Sequence, residues 1–156
     1  MLAYVVSFSY IGTLWLFHHD FFSTIDWITP ELNIINLLVL FSITLINYAT
    51  SLISAALSAM NLIDLRTAII IYDGCALFIS FTFELMYRYS YRHPELTNRQ
   101  RSANEGMYFI KSDPIISVVI YLISIVTSFF SVVVGGIFLL AGIIWHAIAY
   151  VRLTKK

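Results

Sequence analysis

Two ionisable side chains, Asp73 and His146, stand inside otherwise apolar runs, and a third, Glu84, lies near the end of one. A carboxyl and an imidazole are groups that move protons. An unpaired charge in hydrocarbon costs several kcal/mol, so each of the three is a functional candidate unless it is paired or neutral. No nucleophile, base and orienting group recur at a catalytic spacing, and no Gly-rich phosphate loop appears. The neighbouring imidazoles of His18 and His19 make a poor metal site, because successive helical residues point about 100° apart. The single cysteine, Cys75, forms neither an intrachain disulfide nor a thiolate cluster. The expectation is a protein without metal or cofactor, and not an enzyme.

A second set of candidates carries no charge. Asn36, Leu40, Thr44, Asn47, Ser51, Ser54 and Ser58 recur every three or four residues and draw a polar, small-residue stripe down one side of a helix. Such a stripe serves either as interhelical glue or as a water-lined path. Packing is the expected use, with Asn47, Ser51 and Ser54 as the alternative lining. Phe8, Gly12, Trp15 and His19, at spacings of four, three and four, share another face. Gly12 lets a second backbone approach, and the Trp15 indole and His19 imidazole offer hydrogen bonds to it. Trp and His at a helix end also serve as interfacial anchors, so anchoring and helix docking both remain open for this face.

These residues sit on segments written for lipid. Hydrophobic residues make up 60% of the 156-residue chain and charged residues only 12%, against about a quarter in soluble proteins. Mean hydropathy is +0.84. No Asp, Glu, Lys or Arg occurs between Leu32 and Ile63 or between Pro114 and Val151. A hydrocarbon core of about 30 Å needs roughly 20 apolar residues per helix. The runs 1–17, 32–57, 67–87, 114–131 and 137–151 therefore predict an all-α multipass bundle of five transmembrane helices in a single domain. Nine basic and nine acidic residues cancel, so no nucleic-acid partner is expected.

The basic residues cluster. Arg88, Arg92, Arg99, Arg101 and Lys111 fall in the loop 88–113, and Arg152, Lys155 and Lys156 in the tail. The positive-inside rule places both in the cytoplasm, with a Gly135-Gly136 turn on the opposite side. Arg66 alone falls outside, and the linker from His18 to Glu31 has no Lys or Arg. Counting back through five spans puts Met1 outside, at the head of an apolar run that would reach only about 25 Å. Orientation and length together create the expectation that a further helix precedes this one.

The stretch Leu2-Ala3-Tyr4-Val5-Val6-Ser7-Phe8, followed by Gly12, Leu14-Trp15, His18-His19 and Phe22, resembles the second helix of the transmembrane protein 175 family, the endolysosomal potassium channels and their bacterial relatives. Asn36-Leu37-Leu38 with Phe41 is similar to the opening of that family's third helix, and Tyr87-Arg88-Tyr89 to the end of its fourth. Two short helices around a turn complete the order. The resemblance covers most of the chain, but its specific part is the first helix with its His-His ending. It implies a subunit of a potassium-selective channel, a tetramer in a bacterial cytoplasmic membrane with the C-terminus inside. Two departures stand out. The family's pore-lining first helix, with its Arg-x-x-x-Phe-Ser-Asp motif, has no counterpart here, and its proline-rich patch in the third helix is replaced by Asn47 and Ala49. By resemblance Gly12, Trp15, His18, His19 and Asn36 form the network that grips the first helix. A non-conducting scaffold or accessory subunit is the alternative.

Overall fold

Where the apolar runs break, the sequence supplies helix caps. Thr29 accepts a hydrogen bond from the Leu32 amide through its side chain and Pro30 takes the first helical position, so a helix starts there. Asn61 does the same for the next helix, accepting from the amides of Ile63 and Asp64. Met60, at φ 50°, supplies the left-handed residue that reverses the chain between the two. In the computed structural model, which describes residues 2–97 and 113–154, five helices result. They are α1 (Leu2–Ser23), α2 (Pro30–Ser58), α3 (Leu62–Arg92), α4 (Asp113–Phe130) and α5 (Val132–Thr154), with one 3-10 turn at Pro94–Leu96. The fold is an all-α bundle.

Pairings across the bundle fix its topology. His18 meets Asn36 and Ser7 meets Thr50, so α1 and α2 run antiparallel. Thr29 meets Tyr89 and Ser42 meets Thr82, so α2 and α3 do too. Ser7 with Tyr72 and Phe21 with Tyr87 show α1 and α3 running parallel. The α3 helix is the hub, packed against α2, α4 and α5, while α1 lies between α2 and α5. Its central position explains why Tyr72, Asp73, Ala76, Ile79, Thr82 and Met86 are all buried. Loops at one end are tied together as well. Ile25 and Thr97 form an isolated antiparallel bridge, and the Asp26 amide donates to the Leu96 carbonyl at 2.9 Å.

Three boundaries differ from those read in the sequence. The first helix runs 22 residues, to Ser23, which is about 33 Å rather than 25 Å. Polar residues at His18, His19 and Asp20 interrupt hydropathy but not helix geometry, and Phe21 beyond them is buried again. The shortness attributed to this segment therefore disappears. The third helix begins at Leu62, upstream of the apolar run, and carries Arg66 inside its first turns. The last turn is at Ser131, not at Gly135-Gly136, because those glycines lie within α5 where it crosses α4 closely. A Cβ on Gly135 would stand 2.9 Å from the Ser128 Cα, and one on Gly142 2.5 Å from the Tyr121 ring. Glycine reads as a turn signal in water but as a packing face in a membrane hairpin.

Three of the described helices, α2, α3 and α5, are long and apolar enough to cross a bilayer. The 18 residues of α4 span about 27 Å. Arg99, Arg101, Lys111, Lys155 and Lys156, on which much of the orientation reading rests, lie outside the described residues.

Candidate functional site

The residues singled out on α1 separate onto two sides of the helix. Ser7, Tyr10, Leu14, Phe17 and Phe21 point into the bundle. Phe8 and Trp15 stand 66% and 58% exposed, with Trp15 stacked on His19 at 5.2 Å between ring centroids. A Cβ on Gly12 would meet nothing within 4 Å. Among the described residues no other helix covers the face Phe8, Gly12, Trp15, His19, and Gly12 serves no close approach. His18 is on the other side of the divide. Its Nε2 lies 2.7 Å from Asn36 Oδ1, an internal clasp between the end of α1 and the start of α2. Of the five residues expected to form a network, His18 and Asn36 bond to each other, while Gly12, Trp15 and His19 lie on the outward face.

The polar stripe on α2 also faces outward. Its packed side is Leu32, Val39, Ser42, Ile46, Ala49, Thr50 and Ala56, one step round the helix from the stripe. Leu40, Thr44, Asn47, Ser51 and Ser58 are exposed, and Asn36 and Ser54 are half-buried. Among the described residues, Asn36 is the stripe member that bonds another helix, and the exposed members are not packed within the chain. Several of its hydroxyls donate to their own helix. Thr44 bonds the Phe41 carbonyl, Ser51 the Tyr48 carbonyl and Ser58 the Ser54 carbonyl, at 2.6, 2.7 and 2.9 Å. With its single hydrogen used, each oxygen offers only lone pairs to an incoming partner. Asn47, which makes no hydrogen bond among the described residues, offers an amide with both donors and acceptor.

The C-terminal half of the α2 stripe borders an open groove of about 460 Å³ lined by Asn47, Thr50, Ser51, Ser54, Ala55 and Ser58, to which α1 contributes Tyr4, stacked on Phe8. Its floor is held by buried hydroxyls. Ser7 Oγ lies 2.6 Å from Thr50 Oγ1 and 3.1 Å from Tyr72 Oη, linking α1, α2 and α3. Sequence reading missed Ser7, Thr50 and Tyr72. Their signal was available only as single hydroxyls in apolar helices, with nothing to say which would meet.

The deep ionisable residues do not form a joint site. Asp73 bonds Ser124 across the α3–α4 interface, whereas His146 Nδ1 lies 2.9 Å from the Gly142 carbonyl and 3.3 Å from Tyr121 Oη. A carbonyl only accepts, so this nitrogen carries the hydrogen. The imidazole is then packed edge-on to Tyr10 and parallel to Tyr121, a core position. Glu84 is matched one turn on by Arg88 at 2.7 Å. Among the described residues no three His, Cys, Asp or Glu side chains are grouped to hold a metal ion.

An α-helical multipass membrane protein with an uncharged, unpartnered face is the class these features define. The model of the family described as the endosomal/lysosomal potassium channel TMEM175 matches residues 1–46, which take in α1 and the first half of α2. A Chryseobacterium sp. protein named as a potassium channel is 26% identical over 145 residues, covering 92% of this chain and 70% of its own length. The match falls on the helix whose residues carry the resemblance to that family. No solved structure matches it.

Proposed function

We propose that the chain is a subunit of a potassium-selective channel in which its five helices form the outer bundle and the α1/α2 groove receives a pore-lining helix. The observation that carries this reading is the exposed face itself. In lipid there is no hydrophobic force to favour an outward row of Asn and Ser, and such residues are satisfied by another helix. The aromatic wall of Tyr4, Phe8 and Trp15 and the acceptor-rich wall of Asn47, Ser51 and Ser54 suit a helix with small residues and a polar donor. Part of that face, from Tyr4 to Thr44, falls within the residues matched to the family.

The relative's name supplies the ion, and the family resemblance supplies the arrangement, a tetramer around the received helices. The subunit would sit in a bacterial cytoplasmic membrane with the basic loop and tail inside. Gly12, Trp15 and His19 contact the received helix in this arrangement, and His18 and Asn36 hold the α1/α2 angle that shapes the groove. A photo-crosslinking residue in place of Trp15 tests the arrangement. Capture of protein, mapped to a transmembrane helix, agrees with it; exclusive capture of lipid contradicts it.

A second reading is favoured by the same exposure. If the stripe faces water rather than a helix, Asn47, Ser51 and Ser54 themselves line the path, and Asn47→Leu would block flux directly.

A further inference from the structure

The strongest unexplained group is Asp73, fully buried where α3 meets the α4–α5 hairpin. Ser124 Oγ lies 2.7 Å from Asp73 Oδ2 and 2.9 Å from the backbone carbonyl of Gly135. A serine hydroxyl has one hydrogen, and a carbonyl and an ionised carboxylate are both acceptors, so Ser124 cannot serve the two at once. A carboxylic acid resolves the count. Asp73 donates its hydrogen to Ser124, and Ser124 donates its own to Gly135. Arg66, two turns earlier on α3, is not bonded to Asp73, and the other carboxyl oxygen, Oδ1, is buried without a partner among the described residues. An unpartnered neutral carbonyl oxygen is far cheaper to bury than an unpartnered carboxylate.

From this geometry we propose that Asp73 is a membrane-buried proton-binding site, whose bound proton closes a relay from Asp73 through Ser124 to Gly135 and so clamps α3 to the α4–α5 hairpin. The titratable groups facing it are Tyr10 from α1, Tyr72 on its own helix and Tyr121 from α4. Cys75 on α3 lies beside Tyr72, and His146 on α5 lies beyond Tyr121. The α2 helix adds only Glu31 and Tyr48, both exposed. None of these supplies a fixed positive charge. Removing the proton leaves a carboxylate that draws the Ser124 hydrogen away from Gly135 and opens the hairpin's tie to α3. The site lies apart from the α1/α2 groove and is independent of the channel reading.

Infrared absorption of the full chain in lipid vesicles tests it. At neutral pH the spectrum should contain a carboxylic-acid carbonyl band that shifts on labelling with carbon-13 aspartate, moves in Ser124→Ala and vanishes in Asp73→Asn. The Asn amide can donate to Ser124 in place of the acid, so Asp73→Asn should keep the wild-type helical circular dichroism, whereas Asp73→Leu should lose thermal stability. If Asp73→Asn fails to fold, the isotope shift in the wild type still decides the matter. The absence of an aspartic-acid band at neutral pH, or its persistence in folded Asp73→Asn, would overturn the proposal.

Discussion

His18 Nε2 lies 2.7 Å from Asn36 Oδ1, joining the end of α1 to the start of α2 at the end opposite the groove. Because the amide oxygen only accepts, the imidazole carries its hydrogen on Nε2. Interhelical side-chain bonds in membranes contribute on average about 0.6 kcal/mol, and at most about 1.7. A double-mutant cycle with His18→Ala and Asn36→Leu should give a coupling in that range when unfolding is followed in mixed micelles. No coupling would mean that the pair is incidental to the α1/α2 geometry.

Glycines separate the two kinds of helix contact in this protein. Gly135→Ala and Gly142→Ala force a methyl into Ser128 and Tyr121, and overpacking of this kind costs roughly 1–3 kcal/mol. Gly12→Ala adds a methyl to open space and should change the stability of the isolated chain by no more than about 0.5 kcal/mol. Gly12→Leu should nonetheless disrupt assembly, since it fills the face proposed to receive a helix. Equal effects of Gly12→Ala and Gly142→Ala on unfolding would refute this division, and assembly unchanged by Gly12→Leu would leave the α1 face as an anchor only.

Much of the fold was legible because charge-free runs of bilayer length have few alternatives. The stripe from Asn36 to Ser58 was visible as well, but its direction was not. Helical periodicity says which residues share a face, never which face the neighbours cover. Packing of α2 is decided by Val39, Ile46 and Ala49 against α3, and those residues look no different in sequence from exposed Leu37 and Phe41. Gly135-Gly136 misled for a related reason, since only a close helix neighbour distinguishes a packing glycine from a turn glycine. Ser124, the partner of Asp73, did have a signal. Ser117, Tyr121, Ser124 and Ser128 recur at spacings of four, three and four on an apolar helix, and all are buried.

The proposed sidedness puts the basic loop and tail in the cytoplasm. In a Cys75→Ser background, Ser131→Cys should react with an impermeant maleimide added to intact cells, and His93→Cys should react only after permeabilisation. The bridge between Ile25 and Thr97 places the α1–α2 linker on the His93 side, so Asp26→Cys should follow His93→Cys. External labelling of His93→Cys would invert the orientation.

In the proposed arrangement these five helices are the scaffold of a potassium channel whose lining is a helix received against α1 and α2. Flux from potassium-loaded liposomes tests it most directly, comparing residues 1–156 alone with the same residues joined to a family-type first helix. Negligible flux is expected from the first and potassium flux in preference to sodium from the second, lost when Gly12→Leu fills the α1 face. Robust selective flux from residues 1–156 alone, abolished by Asn47→Leu, would contradict it and make the α2 stripe the pore; silence from both would contradict it in favour of a non-conducting scaffold.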